Sequence, residues 1–319
     1  MNKNVYKYDD MKRGEHMAVR QNVGWYLWTH QLVEVTGDDA EAFLDYMVPG
    51  KIDTRKVGRD RYTTMLKEDG TIIDDVVIMR MDEDRFWVST LYAPQMDEWF
   101  FDHQGDYDVD WDDITEEWHM YAVQGPKSKD VLNELVDGGV EELKFFAHED
   151  KKIGDLDVMI NRGGFTGEKW GYEIYVAADD ADEIEPIIAA ACEKAGGRRV
   201  TEFQVMAWTL PTEAGFYYMK DLMHHNPIEV GLDGGINWEK DFVGKAALEK
   251  VKENGPENEM LGFECLVDDY LIKSGHLGGP GEAVYVDGEE VARVMKLVYS
   301  YVNEANIGAD FAFLSNRLS

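Results

Sequence analysis

Apolar residues recur at Ala40, Phe43, Leu44 and Met47 behind Asp38-Asp39 and stop at Pro49-Gly50, which predicts a short amphipathic helix over 38–48. The stretch TTMLKEDGTIIDDVVIMRMDEDRFWVSTL (63–91) has another rhythm: β-rich apolar runs are punctuated by Glu68-Asp69-Gly70 and Asp82-Glu83-Asp84. That spacing predicts three antiparallel strands. Helical spacing returns in APQMDEWFFDH (93–103), MYAVQG (120–125) reads as a strand, and a helix follows Gly125-Pro126 over 127–136. From 153 to 176, IGDLDVMINRGGFTGEKWGYEIYV predicts two strands flanking a glycine-rich turn, and ADEIEPIIAAACEKAGG predicts a helix ended by Gly196-Gly197. Strand and helix alternate without βαβ regularity, so the class is α+β.

The C-terminal stretch from Met260 to about Val298 changes to short strands and glycine turns, which places a domain boundary near Pro256. The expected division is 1–256, two α+β subdomains, and 257–319, a small β-domain. No repeat with a period of 20–50 residues is present.

Charge alters the picture of partners. The 319 residues carry 32 Lys+Arg against 64 Asp+Glu, a net charge of −32. Such a field repels phosphate backbones and anionic headgroups, and the densest basic clusters (Lys12–Arg13, Lys151–Lys152, Arg198–Arg199) are short. Neither a nucleic acid nor a membrane is expected as partner. The apolar fraction of 44% is enough for a real core despite this charge. Two cysteines in unrelated contexts, Cys192 and Cys265, give neither a disulfide framework nor a thiolate metal cage. With no apolar leader and no long apolar run, the expectation is a soluble, reducing, cytoplasmic protein.

Two segments carry chemistry. In Gly70-Thr71-Ile72-Ile73-Asp74-Asp75-Val76-Val77-Ile78, adjacent carboxylates sit inside an otherwise apolar strand, and period-two geometry sends them to opposite faces. The one that points inward is costly and has its pKa raised unless a donor or cation compensates; fixing a turn through backbone hydrogen bonds is the plainer alternative. In Arg162-Gly163-Gly164-Phe165-Thr166-Gly167-Glu168-Lys169-Trp170-Gly171-Tyr172-Glu173-Ile174, the glycines let backbone approach a planar ligand. Glu173 can accept two hydrogen bonds from an amino-pyrimidine edge, or it is one surface Glu beside a glycine turn.

Together with GEHMAVRQNVG (14–24), AVQGP (122–126), EAGFYYMKDL (213–222) and NPIEVGLDGGINWEKDFVGKAAL (226–248), these segments occur in an order that resembles the glycine cleavage T-protein family of folate-dependent aminomethyltransferases and demethylases. The resemblance implies a ring-like α+β body that takes tetrahydrofolate in its centre, with a short C-terminal β-barrel-like domain closing over it. It implies that an Asp of the IIDD segment, Asp74 with Asp75 as the alternative, lies near the folate nitrogens, and that Glu173 holds the pterin. Tyr172, Phe165, Thr166, Gly167 and Trp208 join the expected folate site, and no metal is expected.

Departures from the family pattern bear on the donor. Met206-Ala207-Trp208 stands where T-proteins carry an Ala-Arg-Asp run, so a folate-fixing arginine is missing; Lys220 and Lys240 are candidates to replace it. Tyr26-Leu27-Trp28-Thr29-His30 replaces the family's Asp-Val-Ser-His, and aromatics gather at Trp25, Tyr26, Trp28, Trp170, Trp208, Tyr217 and Tyr218. Such a lining suits an apolar or aromatic methyl donor, with Tyr217 or Tyr218 protonating the leaving heteroatom and His30 assisting. The expected activity is therefore transfer of a methyl group from a small O- or N-methyl donor to N5 of tetrahydrofolate. The alternatives are the aminomethyltransferase of glycine cleavage, with a lipoyl carrier protein as partner, and a non-catalytic folate-binding protein.

Overall fold

A computed structural model describes residues 9–28, 31–53, 56–203, 205–216, 219–265, 283–286 and 288–313. The chain opens with α1 (Asp10–Gln21), capped by the Asp9 carboxylate, then β1 (Gly24–Trp28) and β2 (Gln31–Thr36). Next come α2 (Ala40–Met47), the meander β3 (Asp60–Leu66), β4 (Ile72–Arg80) and β5 (Arg85–Thr90), and α3 (Ala93–His103). β6 (Asp110–Asp113), β7 (Trp118–Gln124) and α4 (Ser128–Leu135) lead to β8 (His148–Ile153), β9 (Leu156–Asn161) and β10 (Gly171–Ala177). α5 (Ala181–Lys194), β11 (Arg198–Arg199), a π-helical turn at Val205–Thr209, α6 (Leu210–Glu213), α7 (Met219–Leu222) and α8 (Lys245–Asn254) follow. The last elements are β12 (Asn258–Cys265), β13 (Ala283–Val286), β14 (Glu289–Ser300) and β15 (Ala305–Phe313).

These strands form a six-stranded sheet in the order β11-β1-β7-β10-β9-β8, a five-stranded sheet β3-β4-β5-β2-β6, and a four-stranded sheet β12-β15-β14-β13. The helix over 38–48, the three strands of 63–91, the helices of 93–103 and 127–136, and the strand pair around the glycine turn all appear where the pattern predicts them. The C-terminal sheet is antiparallel and, among the described residues, open rather than closed into a barrel.

Four apolar clusters hold the layers together. One packs α4 and α5 on the outer face of the six-stranded sheet through Tyr172, Ile174 and Ile188; another packs α2 and α3 on the five-stranded sheet through Phe43, Phe100, Val76 and Ile78. A third lies between the two large sheets and joins Tyr26, Trp28, Met79, Trp87 and Tyr175. The fourth seats α8 and the segment around Leu222 against Leu66 and Ile72. Both large sheets are therefore covered on both faces, and the gap between them is where the candidate residues converge. Among the described residues, no helix is long and apolar enough to cross a membrane.

Candidate functional site

Between the two large sheets lies a cavity of about 150 Å³ lined by Tyr62, Asp75 and Val77 from β3 and β4, by Asn161, Glu173 and Tyr175 from β9 and β10, and by Trp28, Phe146, Gly163, Gly164, Phe165, Ala207 and Pro211. Strand geometry selects these side chains. On β4 the even positions Asp74, Val76 and Ile78 turn toward α2 and α3, whereas Asp75, Val77 and Met79 turn toward the other sheet. On β10, Tyr172, Ile174 and Val176 enter the helix-covered core, while Glu173 and Tyr175 face the cavity.

Asp75, the second of the two candidates, is thus the carboxylate in the cavity. Tyr62 Oη donates to its Oδ2 at 3.0 Å. Burial pushes the Asp75 carboxyl up to about 6; the Tyr62 hydrogen bond works against the rise and the Asp221 charge adds to it. Asp74 is buried toward α3, beside Tyr92, Gln95 and Met96, and accepts a hydrogen bond from Oγ1 of Thr90, a residue that also borders the cavity. Burial, with the Asp75 charge, pushes the Asp74 carboxyl up to about 8, so near neutral pH it keeps its proton. Of the two carboxylates expected near the folate nitrogens, the first choice, Asp74, is turned toward α3, and the alternative, Asp75, is the one in the cavity.

Glu173 is pushed up to about 7 by burial and by the Asp60 charge, against a hydrogen bond from Tyr175. Among the described residues, no lysine or arginine lines the cavity. Around Glu173, three buried polar atoms, Tyr26 Oη, Asn161 Oδ1 and Asp60 Oδ2, have no hydrogen-bond partner among the described residues. Of these only Asn161 lines the cavity; an unmet buried polar atom costs about 1–3 kcal/mol, so N–H donors from a ligand are matched to Asn161 Oδ1 and Glu173. An amino-pyrimidine edge supplies such donors to Glu173 and to Asn161 Oδ1. A pterin fits the residues present.

The other expected residues distribute unevenly. Phe165 lines the cavity with Trp28, their centroids 5.0 Å apart. Tyr172 is fully buried in the helix-covered core, and Thr166 is buried with its Oγ1 donating to Gln124 Oε1 at 2.8 Å; neither reaches the cavity. Gly167, at φ +79°, packs against Ala214, whose Cβ would lie 2.2 Å from an added Cβ. Gly164, at φ +144°, makes room for the Gln124 amide in the same way. Both glycines therefore serve the packing of the loop on its supports, while Gly163 leaves space at the cavity itself. Trp208 packs edge-on against Phe203 at 6.2 Å, and its neighbour Ala207 forms the wall in the stretch that lacks the family's arginine. Trp25 belongs to the helix-covered core, and Trp170 lies beneath the Arg162 guanidinium at 4.3 Å. His30, Tyr217 and Tyr218 lie outside the described residues.

Lys240 does not replace the arginine: its Nζ donates to Val48 O at 2.6 Å and to Asp45 O, capping the C-terminus of α2. Among the described residues, a buried cation near the site is Lys296 of β14, paired with Asp221 of α7 and 3.4 Å from Phe216 O. It sits in a plain strand pattern and carried no signal in the sequence. Since the Asp221 charge already raises Asp75, Lys296→Met is expected to raise Asp75 further and move the acid limb of the pH–rate profile to higher pH. The profile of the purified variant checks this. A larger groove of about 710 Å³, lined by Trp87, Trp118, Arg85, His148 and Lys151, lies elsewhere between the sheets. Its basic residues are already committed, Arg85 to Glu34 at 3.2 Å and Lys151 to Glu149 at 2.9 Å. The smaller cavity, by contrast, brings together Glu173, Asp75 and the unpartnered Asn161 Oδ1.

The family model described as the GCVT N-terminal domain matches residues 3–240. The chain belongs to the GCVT family. Within it, the chain is 32% identical over 289 residues to the aminomethyltransferase of Clostridium botulinum strain Kyoto / Type A2, covering 88% of this chain and 75% of that protein. The aminomethyltransferase of strain Loch Maree / Type A3 gives the same identity and coverage. Among solved structures, the glycine cleavage system aminomethyltransferase T from Bartonella henselae superposes with a TM-score of 0.81 over 95% of this chain and 82% of that one, at 21% identity. The fold is that of the T-proteins, and membership in the GCVT family makes the chain a one-carbon transferase in class.

Proposed function

We propose that this GCVT-family protein is a tetrahydrofolate-dependent transferase that takes an aminomethyl group from its donor, the second of the readings drawn from the sequence. Its support is the similarity to aminomethyltransferases over most of the chain, joined to a cavity in which Glu173 and Asp75 face one space. When bound, tetrahydrofolate supplies the N5 nucleophile that accepts the carbon. Glu173 and Asn161 hold the amino-pyrimidine edge through its N–H donors. Asp75, oriented by Tyr62, holds negative charge where positive charge develops, and its carboxyl, near 6, can also take or return a proton. Trp28 and Phe165 close the donor side with apolar surface and exclude water.

Demethylation of a small O- or N-methyl donor is the second reading, favoured by Ala207 and the aromatic wall where the family places an arginine. Anaerobic turnover with tetrahydrofolate separates the two by product mass. Aminomethyl transfer from a loaded lipoyl carrier protein gives methylenetetrahydrofolate and ammonia, whereas a methyl donor gives 5-methyltetrahydrofolate. Formation of neither product overturns the transferase reading. Glu173→Gln is expected to weaken tetrahydrofolate binding about tenfold to a hundredfold, because a carboxylate that accepts two N–H donors is replaced by an amide with one acceptor. Calorimetric titration checks it.

A further inference from the structure

Glu173 belongs to a row that crosses the six-stranded sheet. Tyr26 of β1 pairs with Ala122 of β7, Ala122 with Glu173 of β10, Glu173 with Asn161 of β9, and Asn161 with His148 of β8. Residues directly opposite in register share a face, so this row looks toward the five-stranded sheet. From that sheet Asp60 of β3 meets it: Asp60 Oδ1 lies 2.6 Å from His148 Nδ1, both side chains are buried, and Asp60 Oδ2 has no hydrogen-bond partner among the described residues. The titratable groups that face Glu173 are Tyr175 on its own strand, Tyr26 on β1, Asp60 on β3 and, across the cavity, Asp75 of β4 with its partner Tyr62; of these Asp60 is the charge that raises Glu173. Burial raises the Asp60 carboxyl above the ordinary range, and the His148 hydrogen bond, with the charges of His148 and Arg59, pulls it back toward the ionised form.

We propose that Asp60, held ionised by His148, is a positioning residue that makes capture of a pterin at Glu173 expel a proton. The inference rests on the folate reading of the cavity and deepens it. Two buried carboxyl groups that sense one another do not both ionise cheaply. Burial first, and the Asp60 charge added to it, push the Glu173 carboxyl up to about 7, so the unliganded protein keeps a proton on Glu173 at and below neutral pH. The N–H donors of an amino-pyrimidine favour the carboxylate. On binding, the Glu173 O–H bond breaks, its electron pair stays on oxygen, and the proton leaves to the buffer. His148 also lines the outer groove, so the row ends at solvent.

Calorimetric titration of the whole chain with 5-formyltetrahydrofolate, in two buffers of different ionisation heat from pH 6 to 9, reads the protons released per folate bound. The wild type is expected to release a proton fraction that falls toward zero at the alkaline end, where Glu173 is already ionised. Asp60→Asn is expected to move that curve about one pH unit toward acid, since the charge that held the proton is gone. His148→Leu shifts it the same way, because Asp60 then takes a proton itself, and His148→Asn, which keeps a donor for Asp60, retains the wild-type curve. If Asp60→Asn fails to fold, the two His148 variants carry the test. Superposable curves for wild type, Asp60→Asn and His148→Leu, with binding intact, overturn the proposal. Absence of binding heat in every buffer for the wild type instead overturns the folate reading, and this inference with it.

Discussion

Asp75→Asn is expected to lower turnover by about a hundredfold or more with the fold intact, while Asp74→Asn stays within a few-fold of wild type. The contrast follows from one strand. Asp75 shares a cavity with Glu173, whereas Asp74 turns toward α3 beside Gln95 and Met96 and accepts from Thr90 Oγ1. The asparagine at 75 keeps the size and a hydrogen-bond acceptor for Tyr62 but cannot hold charge or exchange a proton. In the wild type, activity that needs the Asp75 carboxylate falls as pH drops through about 6. Steady-state rates for both variants across pH check the pair, and equal effects would refute the placement. Asp74 has a separate signature in stability. Its folded carboxyl, at about 8, binds a proton more tightly than an unfolded aspartate at about 4, so it removes stability as pH rises between those values. Asp74→Asn flattens that slope.

Arg20→Ala is expected to cost about 3–5 kcal/mol and to lower Tm on the order of 10 °C, with folate binding lost alongside. The Arg20 guanidinium donates to Glu213 Oε2 at 2.8 Å, Glu168 Oε1 at 2.6 Å, Thr166 O at 2.7 Å and Leu210 O at 3.0 Å. Glu213 is also met by His16 Nε2 at 2.9 Å and by Ser300 Oγ of β14. One cation therefore joins α1, the glycine loop and α6, and the glycine loop carries Gly163, Gly164 and Phe165 into the cavity wall. Burial alone would raise Glu213, but the hydrogen bonds from His16, Ser300 and Arg20 hold it below the ordinary range. Its stabilising share is present above about pH 4 and is lost as pH falls through its folded value, so the gap between variant and wild type narrows in acid. Arg20→Lys recovers little, because one ammonium cannot fork toward four acceptors. Thermal melts at several pH values with a folate titration check both parts.

These two sites also show what the sequence could carry. Gly-Glu-His at 14–16, Gly-Phe-Thr-Gly-Glu at 164–168 and Glu-Ala-Gly at 213–215 are dispersed along the chain, and the structure shows why they occur together: His16, Arg20, Glu168 and Glu213 form one buried network, and Gly167 rests on Ala214. The meander and its helices were legible because each buries one face against a helix. The phase of β4 was not, since Val76 and Ile78 face α2 and α3 while Val77 and Met79 face the other sheet, so both alternations are apolar. β10 gave its phase away: Tyr172, Ile174 and Val176 contrast with Gly171, Glu173 and Tyr175. Missed elements were those with polar patterns. β6 (DWDD) and β8 (HEDKKI) are edge strands, and α1 buries Glu15 and His16 rather than an apolar stripe. The row through Asn161 and His148 depends on register across non-consecutive strands, which no local pattern encodes.

The central claim, that the space between Glu173 and Asp75 is a folate site, is tested most directly by a crystal structure of the protein grown with tetrahydrofolate. The account predicts the amino-pyrimidine edge on Glu173 and Asn161, with N5 turned toward Asp75. A pterin in the outer groove beside Trp87 and Trp118, or none in a crystal saturated with folate, would contradict it.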